Sequence, residues 1–539
     1  MKKITIFILA LSGVVAFSAI FPDMQAISQT IDLEKTFAIS TKAAAGDLGE
    51  AIYNEETGNY ELTYVFKASK QEIGFEKYIF DQDFNFIKME PDQAPFTTAS
   101  LKYPWWDYQG DKYEEYAVVP QIVGAGKVVF LKVKMEYEFK WNAMNYFVTN
   151  EVVDKYQLPK EDAKEHYYLG LIADEETGGL TMIYALRQDK KKTGQAYGND
   201  INIIQLDRNM GIVKSCSLSF DKQQYLAFCE GIDVNTDEEG FEEYYLIFGP
   251  AKEDLSKTAF DFKFVQMNNK LEVTGEIPIL SHYSFWKIDD MIAPESKEEA
   301  YFFGPADNRE VTYYFAAAGG EFGMGNPFVG VDFTATQLMK VKNGQVEYIE
   351  ATLTDDYTKK LQVPPGQEKL PAYRGNKFEK DAYYVADDGK FFVAGQNWST
   401  TFNPVAGTSK DVYTDVLAFY FNPQGQLVSQ YGLDTRENNS CAKEYGTGQF
   451  FIEGLGHQYL YWVILETSSM WEGDLLQYPT IGKIDMTTGE ISAFRIYGSE
   501  SFFVDDQFPE LYSPDPGKVI YLCADKFKRN VGFLRLIFD

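Results

Sequence analysis

Histidine is scarce in this chain, with three residues among 539. His166, His282 and His457 are widely separated, and none has the HExxH spacing of a zinc protease. The sequence also lacks a GxSxG nucleophile elbow and a P-loop. The glycines of "GGEFGMGNPFVG", from Gly319, are followed by strand-like sequence where a phosphate loop needs a helix. No motif therefore assigns a reaction, and the catalytic residues are unknown from the sequence.

Cysteine is equally scarce, and no CxxC spacing occurs, so a zinc site built from thiolates is excluded. A chain of this size does not need disulfides for its stability. We expect buried thiols or one incidental bridge among the four cysteines, which are Cys216, Cys229, Cys441 and Cys523.

Basic residues are outnumbered, with 50 Lys and Arg against 80 Asp and Glu, which gives a formal charge of −30. Such a surface repels a phosphate backbone, so nucleic acid is not expected as a partner. The stretch "DVNTDEEG", from Asp233, has the composition of a calcium loop, but Gly240 falls two positions late and the bidentate Glu is out of register. We therefore expect no cofactor and no metal site, with calcium as the alternative.

Long apolar runs are missing except at the start of the chain. Lys2 and Lys3 precede the apolar stretch 4–20, and the small residues Ala26 and Ser28 follow it. This order is typical of a secretory signal peptide of residues 1–28, with an uncleaved anchor as the alternative. No later stretch reaches the ~20 apolar residues of a spanning helix. The sequence predicts a secreted or periplasmic protein whose mature chain has no transmembrane segment.

Aromatic residues, in contrast, are abundant, at 16% of the chain. Flat rings pack well on pleated, half-buried surfaces, so this composition favours strands. Two similar stretches, "NEETGNYELTYVF" from Asn54 and "DEETGGLTMIYAL" from Asp174, combine an acidic glycine turn with a strand. Weaker copies carry the turn at Gly389 and Gly517. The copies predict a repeated antiparallel unit of roughly 60–70 residues, with glycine in each turn because the turn needs an unusual φ.

Four-stranded units repeated around a ring are typical of a β-propeller, and the chain resembles that fold class in period and strand order. It lacks the Gly-His and Trp-Asp signature of WD repeats and the Ser-x-Asp-x-Gly-x-x-Trp box of sialidases, so no specific family is indicated. We predict an all-β propeller of eight blades, with seven possible. The alternative is two smaller β domains that separate at the proline-rich stretch 361–375.

The predicted domain spans residues 29–539. Its last unit lacks a fourth strand, and the strand-like segment 30–40 has no unit of its own. Pairing of residues 31–40 with residues 532–538 would close the ring and remove the exposed edges. The predicted blades lie near 47–95, 115–160, 166–222, 224–281, 284–354, 380–435, 446–499 and 500–539, the last completed by 30–40.

Long aromatic segments alternate with the short acidic turns, and we expect them to be loops on one face of the disc. Aromatic side chains at loop tips bury a large area with little loss of entropy, so they favour a binding face. The alternative is that they fold inward and cap the ring. His282 is added because it lies in a connection between blades. The candidate binding residues are Trp105, Trp106, Phe322, Phe328, Trp398, Phe402, Trp471 and His282.

These features predict a non-catalytic binding platform that docks a protein of the cell envelope, for example as an accessory subunit of an outer-membrane complex. The alternative is a carbohydrate-binding or glycoside-processing propeller, because glycoside hydrolysis needs two carboxylates that different blades can supply. Asp289, Asp290, Asp505 and Asp506 are candidates. Convergent carboxylates in one polar pocket would favour an enzyme over a platform.

Overall fold

The computed structural model of the protein describes residues 31–538 except 107–109, 123–127, 141–144, 157–165, 175–176, 194, 196, 233–239, 294–298, 310–332, 368–371, 376, 404–407, 434–439, 472–473, 498–501, 506 and 516. The predicted signal peptide lies outside these residues. Strands dominate the described chain, and the predicted all-β fold is confirmed.

The strands form where apolar and polar residues alternate, since successive side chains of a strand point to opposite faces. In the segment 260–268, for example, Phe260, Phe262 and Phe264 are buried, whereas Asp261 is exposed. Strands with this pattern assemble into antiparallel sheets in the order of the sequence.

Sheets 1 to 4 contain neighbouring strands that follow one another along the chain. Sheet 2 has three strands among the described residues, and the others have four. After β1 (Ile31–Ala38), the strands are as follows. Sheet 1 contains β2 (Asp47–Asn54), β3 (Asn59–Lys67), β4 (Glu72–Phe80) and β5 (Phe86–Pro95). Sheet 2 contains β6 (Lys112–Ile122), β7 (Val128–Lys140) and β8 (Asn145–Tyr156). Sheet 3 contains β9 (His166–Asp174), β10 (Gly179–Arg187), β11 (Tyr197–Leu206) and β12 (Ile212–Ser219). Sheet 4 contains β13 (Gln224–Ile232), β14 (Glu243–Pro250), β15 (Phe260–Asn268) and β16 (Val273–Ser281).

Sheets 5 to 7 continue the pattern, with a broken first strand in sheet 5 and a larger seventh sheet. Sheet 5 contains β17 (Phe285–Trp286), β18 (Asp290–Ile292), β19 (Glu299–Asp307), β20 (Ala335–Lys342) and β21 (Gln345–Leu353). Sheet 6 contains β22 (Lys377–Val385), β23 (Phe391–Asn403), β24 (Thr408–Phe421) and β25 (Leu427–Leu433). Sheet 7 contains β1 together with β26 (Gly448–Glu453), β27 (Tyr459–Trp471), β28 (Asp474–Asp485), β29 (Arg495–Ile496), β30 (Phe502–Val504), β31 (Glu510–Leu511), β32 (Lys518–Asp525) and β33 (Asn530–Ile537).

Short helices connect some of these strands. They are a 3-10 turn at Ala43–Ala45, α1 (Phe96–Ala99), α2 (Lys190–Thr193), α3 (Thr354–Lys359) and α4 (Ser440–Tyr445). All four cysteines carry free thiols.

Sheet 7 has two halves, β26–β29 and β30–β33 with β1, which are joined by the pairing of Gln477 with Val504. The predicted pairing of the two chain ends is confirmed, because β1 runs antiparallel to β33 from Ile31 opposite Leu536 to Ala38 opposite Asn530. The N-terminal strand thus covers an edge that β33 would otherwise expose.

Apolar cores lie between each sheet and the next along the chain, and a further core joins the second half of sheet 7 to sheet 1. The order of packing therefore returns from the end of the chain to its start. Each core contains buried residues from both sides: Phe75 and Phe139, Phe130 and Met182, Ile183 and Leu246, Phe262 and Phe302, Phe303 and Phe419, Phe392 and Trp462, Val463 and Tyr521, and Phe533 and Phe80.

Two predicted aromatic loops are strands instead. Residues 397–403 continue β23 and pair with β24 as far as Asn403 opposite Thr408. Likewise, β27 extends to Trp471, which lies opposite Asp474 of β28. Serine, threonine and glycine make these segments resemble loops in sequence, but cross-strand hydrogen bonds satisfy their backbone groups, so they form long hairpins.

Candidate functional site

The first strands of neighbouring sheets lie side by side, with β9 beside β13, β22 beside β26, and β2 beside β31. The first strands of sheets 4, 5 and 6 bring together a group of charged side chains far apart in sequence. We call Glu230, Asp289, Asp290, Lys380 and Asp381 the acid–lysine cluster.

Asp381 lies at an irregularity of β22. Lys380 is opposite Gly395 of β23, and Ala382 is opposite Ala394, so Asp381 is an additional residue without a partner in the ladder. Such a bulge turns a side chain away from the regular alternation of the strand. Gly395 permits this bulge because it has no Cβ atom. A Cβ atom at this position would lie only 1.9 Å from the carbonyl oxygen of Glu379.

Sheet 5 repeats this arrangement. A Cβ atom on Gly304 of β19 would lie 2.0 Å from the carbonyl oxygen of Lys287, just as one on Gly395 would approach Glu379. Asp289 follows Lys287 by two residues, as Asp381 follows Glu379. The two aspartates therefore occupy equivalent positions in neighbouring sheets.

Two lysines balance part of the negative charge. Lys380 of sheet 6 forms an ion pair with Asp290 of sheet 5, and Lys287 forms one with Asp289. The first of these pairs joins the first strands of two sheets. With Glu230 and Asp381, the cluster still has more carboxyls than ammonium groups.

Burial raises the pKa of Glu230 to about 7, and the negative charge of Asp290 adds to the rise, while Lys380 opposes it. Burial also raises the pKa of Asp381 to about 7; the hydrogen bond from Gln449 opposes this rise, and the charge of Glu379 adds to it. The pKa of Asp289 is raised by burial, against the opposing charge of Lys287. Protein atoms surround these carboxyls and weaken their hydration, which disfavours the ionised form.

The same carboxyls are accessible to solvent. Asp381 is an exposed residue, the side chain of Asp289 is 23% exposed, and Glu230 is half-buried. These side chains are thus partly surrounded by protein and still reached by water. A carboxyl with a pKa near 7 can donate or accept a proton at neutral pH, which is the property of a general acid or base.

The tryptophans Trp105 and Trp106 pack against strands of sheets 1 and 2. Trp105 is half-buried and contacts the ring of Phe75 edge to face, with 5.9 Å between the ring centroids. A Cβ atom on Gly49 of β2 would lie 2.3 Å from the Trp105 ring, so the indole packs directly on the strand. Trp106 is also half-buried, 6.3 Å from the ring of Phe139.

The other candidate binding residues are dispersed. Trp398 is half-buried in β23, the backbone of Phe402 is in the same strand, and that of Trp471 ends β27. His282 is exposed, and its Nε2 lies 3.0 Å from the carbonyl oxygen of Ile349. Phe322 and Phe328 lie outside the described residues. A shared binding face for this set remains a prediction.

The two candidate carboxylate pairs have different surroundings. Asp289 and Asp290 belong to the acid–lysine cluster. Asp505 lies in a turn, where its Oδ1 accepts hydrogen bonds from the backbone of Gln507 and Phe508 at 3.1 and 2.9 Å. Asp506 and most of the calcium-like loop lie outside the described residues. Within the described part of the chain, no group of three or more His, Cys, Asp or Glu residues could hold a metal ion.

Sequence reasoning missed Glu230, Lys380 and Asp381. A usable signal exists in retrospect, because "KIDDM" before "YFFGPA" and "EKDAY" before "FFVAGQ" both place an aspartate ahead of an aromatic strand that contains a glycine. In both cases the absence of a side chain on the glycine leaves room for a backbone carbonyl of the preceding segment, that of Lys287 beside Gly304 and that of Glu379 beside Gly395.

No protein-family model and no curated protein matches the chain. Similar solved structures include a cobalt-substituted apocarotenoid oxygenase (ACO) from Synechocystis, at 11% identity and a TM-score of 0.30, over 79% of this chain and 94% of that one. An ACO/RPE65 chimera gives 10% identity and a TM-score of 0.30, with the same coverage of 79% and 94%. Lignostilbene dioxygenase from Pseudomonas brassicacearum has 9% identity and a TM-score of 0.25, over 94% of this chain and 89% of that one.

This comparison contradicts the expected non-catalytic docking platform and its carbohydrate-binding or glycoside-processing alternative, because the similar structures include oxygenases. It contradicts the expected absence of a cofactor as well, since one of these proteins is cobalt-substituted. Aromatic composition misled the sequence argument because packing and binding use the same rings. At these identities and TM-scores, neither an activity nor a metal transfers to this chain.

Among the described residues, no helix has the length and apolar character needed to span a membrane.

Proposed function

We propose that the sheets are the blades of a closed eight-bladed β-propeller, in which the two halves of sheet 7 count as separate blades and β1 completes the last one. The cyclic order of the apolar cores supports this architecture, because each sheet packs on two neighbours and the last packs on the first. The first strands then line the centre, and the acid–lysine cluster faces a central recess. The leader supports export, so the protein acts outside the cytoplasm.

The cluster is an acid–base site, and the protein is an enzyme that moves protons on a small organic molecule. One observation carries this function: Glu230 and Asp381, with pKa values of about 7, both lie within the electrostatic influence of Lys380. At neutral pH each carboxyl is present in both protonation states. One can therefore donate a proton while the other accepts one.

The substrate carries a positive charge. Glu230, Asp289, Asp290, Glu379 and Asp381 supply five carboxyls around the recess, against the ammonium groups of Lys287 and Lys380. An excess of negative charge in a recess with walls of low polarity concentrates cations there.

The test compares thermal shifts produced by matched panels of small cationic, neutral and anionic compounds on the wild type, Asp381→Asn and Asp387→Asn. Asp387 is exposed in the turn after β22 and serves as the control. We expect cationic compounds to raise the melting temperature of the wild type and the control but not of Asp381→Asn. Equal shifts in all three proteins, or a preference for anions, would reject the site.

Proton transfer is measured on the compounds that bind. Each is incubated in deuterium oxide with the wild type or Asp381→Asn, and deuterium at carbon is followed by NMR. We expect incorporation with the wild type only. Binding without incorporation would leave a binding site and remove the proposed catalysis.

A further inference from the structure

Asp381 has a partner on the next sheet. Gln449 of β26 donates a hydrogen bond from Nε2 to Oδ2 of Asp381 at 2.7 Å. Trp462 of β27 donates one from Nε1 to Oε1 of Gln449 at 3.1 Å. Gln449 is 2% exposed and Trp462 is fully buried, so solvent does not replace either bond.

The chemistry of the three groups fixes the orientation of the amide. An indole N–H can only donate a hydrogen bond, and an ionised carboxylate can only accept one. Rotation of the amide by half a turn would place its NH2 group against the indole N–H and its oxygen against the carboxylate. The observed orientation alone satisfies Trp462 and Asp381 together.

A second contact holds β26 in place against sheet 6. The backbone N–H of Thr447, just before β26, donates to Oε1 of the buried Gln396 of β23 at 2.8 Å. This bond fixes the start of the strand that carries Gln449. The bulge at Asp381 frees its carboxyl from the β22 ladder, and the bond from Gln449 sets its direction.

We propose that Gln449, oriented by Trp462, is the positioning residue for Asp381: it engages Oδ2 and turns Oδ1 toward the ligand. The catalytic part of this role rests on the proposed function, whereas the hydrogen-bonded chain from Trp462 to Asp381 does not. Gln449 also favours the ionised carboxylate, because its N–H donates to the charged form. Without this donor, the pKa of Asp381 rises further above its usual range.

The test follows the titration of Asp381 by carbon-13 NMR of labelled aspartate, with its signal assigned by its loss in Asp381→Asn. Gln449→Met retains the shape of the side chain and removes the donor. We expect its Asp381 midpoint to rise by about one pH unit, the size of a charge-assisted hydrogen bond. Trp462→Phe should shift it in the same direction by less, because the amide can then rotate.

Gln458→Met is the matched control, since Gln458 is exposed and its Nε2 donates to Asp485 at 3.3 Å, at the opposite end of the β26–β27 hairpin from Gln449. Its Asp381 midpoint should equal that of the wild type. Gln449→Glu keeps the acceptor for Trp462 and places a second carboxyl beside Asp381, so the midpoint should rise even if the Met variant does not fold.

An unchanged midpoint in a folded Gln449→Met or Gln449→Glu protein would overturn the positioning role. This test and the test of the proposed function can fail independently of each other. A shifted midpoint without binding of cationic compounds would retain the hydrogen-bonded chain and reject the function. Binding and deuterium incorporation with an unchanged midpoint would retain the proposed function and reject the positioning role of Gln449.

Discussion

At the scale of single residues, Glu230 links the site to the pH dependence of stability. Its pKa rises from 4.5 to about 7 on folding, so the folded chain holds the proton more tightly than the unfolded chain. The stabilisation is fully present below the unfolded pKa and is lost as pH rises toward 7, because ionisation in the folded state opposes burial. The group to which the proposed chemistry is assigned therefore weakens the fold at neutral pH.

Glu230→Gln removes this ionisation. We expect the free energy of unfolding of the variant, relative to the wild type, to increase between about pH 4.5 and 7 and then to level off. Urea unfolding of both proteins at several pH values measures this difference in free energy of unfolding. Glu55→Gln, at an exposed residue of the turn after β2, is the matched control. A difference that does not change with pH would contradict the raised pKa of Glu230.

Single residues also show where sequence reasoning succeeded. Gly58 and Gly178, the turn glycines of the two similar stretches, have positive φ angles of 69° and 66°, as predicted. The turn at residues 207–211 differs, because Met210 rather than Gly211 has positive φ, at 66°. Oδ1 of Asp207 accepts two backbone N–H groups there, and the Met210 side chain is buried against sheet 2. Tertiary packing offsets the strain of the positive φ angle at Met210, and a local sequence pattern does not contain that packing.

At the scale of elements, the first strand of a sheet is repeatedly irregular. Pairing skips Gly49 in β2, Leu169 in β9, Ala227 in β13 and Asp381 in β22. Such a bulge thus recurs with different side chains, and one of these four places an ionisable group, Asp381, in the acid–lysine cluster. A bulge arises from the register of two strands, so the sequence of the bulged strand alone does not predict it, and the glycine of the neighbouring strand, as at Gly304 and Gly395, must be considered with it.

Gly395→Ala tests this element. Its Cβ atom would lie 1.9 Å from the Glu379 carbonyl oxygen, so the bulge must shift. We expect a loss of about 1–3 kcal/mol in stability, the usual cost of overpacking, together with loss of the thermal shift by cationic compounds. Gly456→Ala is the control, because no atom lies within 4 Å of the added methyl group. Wild-type stability and binding in Gly395→Ala would show that the bulge is not needed.

At the scale of the whole molecule, the strand content, the repeated meander and the pairing of the chain ends followed from the sequence. The acid–lysine cluster did not, because Asp290 and Lys380 are 90 positions apart and meet only when two sheets pack. Of the aromatic candidates, Trp105 packs directly on Gly49 of β2, and a binding face shared by the whole set remains a prediction.

Deletion of residues 29–42 tests the closure of the molecule. It removes β1, exposes the edge of β33 and breaks the bond from Arg535 Nε to Asp32 Oδ2 at 2.5 Å. We expect a sharp fall in melting temperature and a tendency to associate through the open edge. Asp32→Ala within the full chain is the milder control, since it retains the strand. An unchanged melting temperature in the deletion variant would show that β1 does not hold the ends together.

The partnership of β1 with β33 also orders events during synthesis. Ile31 leaves the ribosome 505 positions before its partner Leu536. Sheets 1 to 6 consist of local hairpins that can form as they emerge, whereas this pairing must close a loop of about 500 residues. The pairing of β1 with β33 therefore becomes available long after β1 has been made, and until it forms β1 is an unpaired strand that a chaperone can bind.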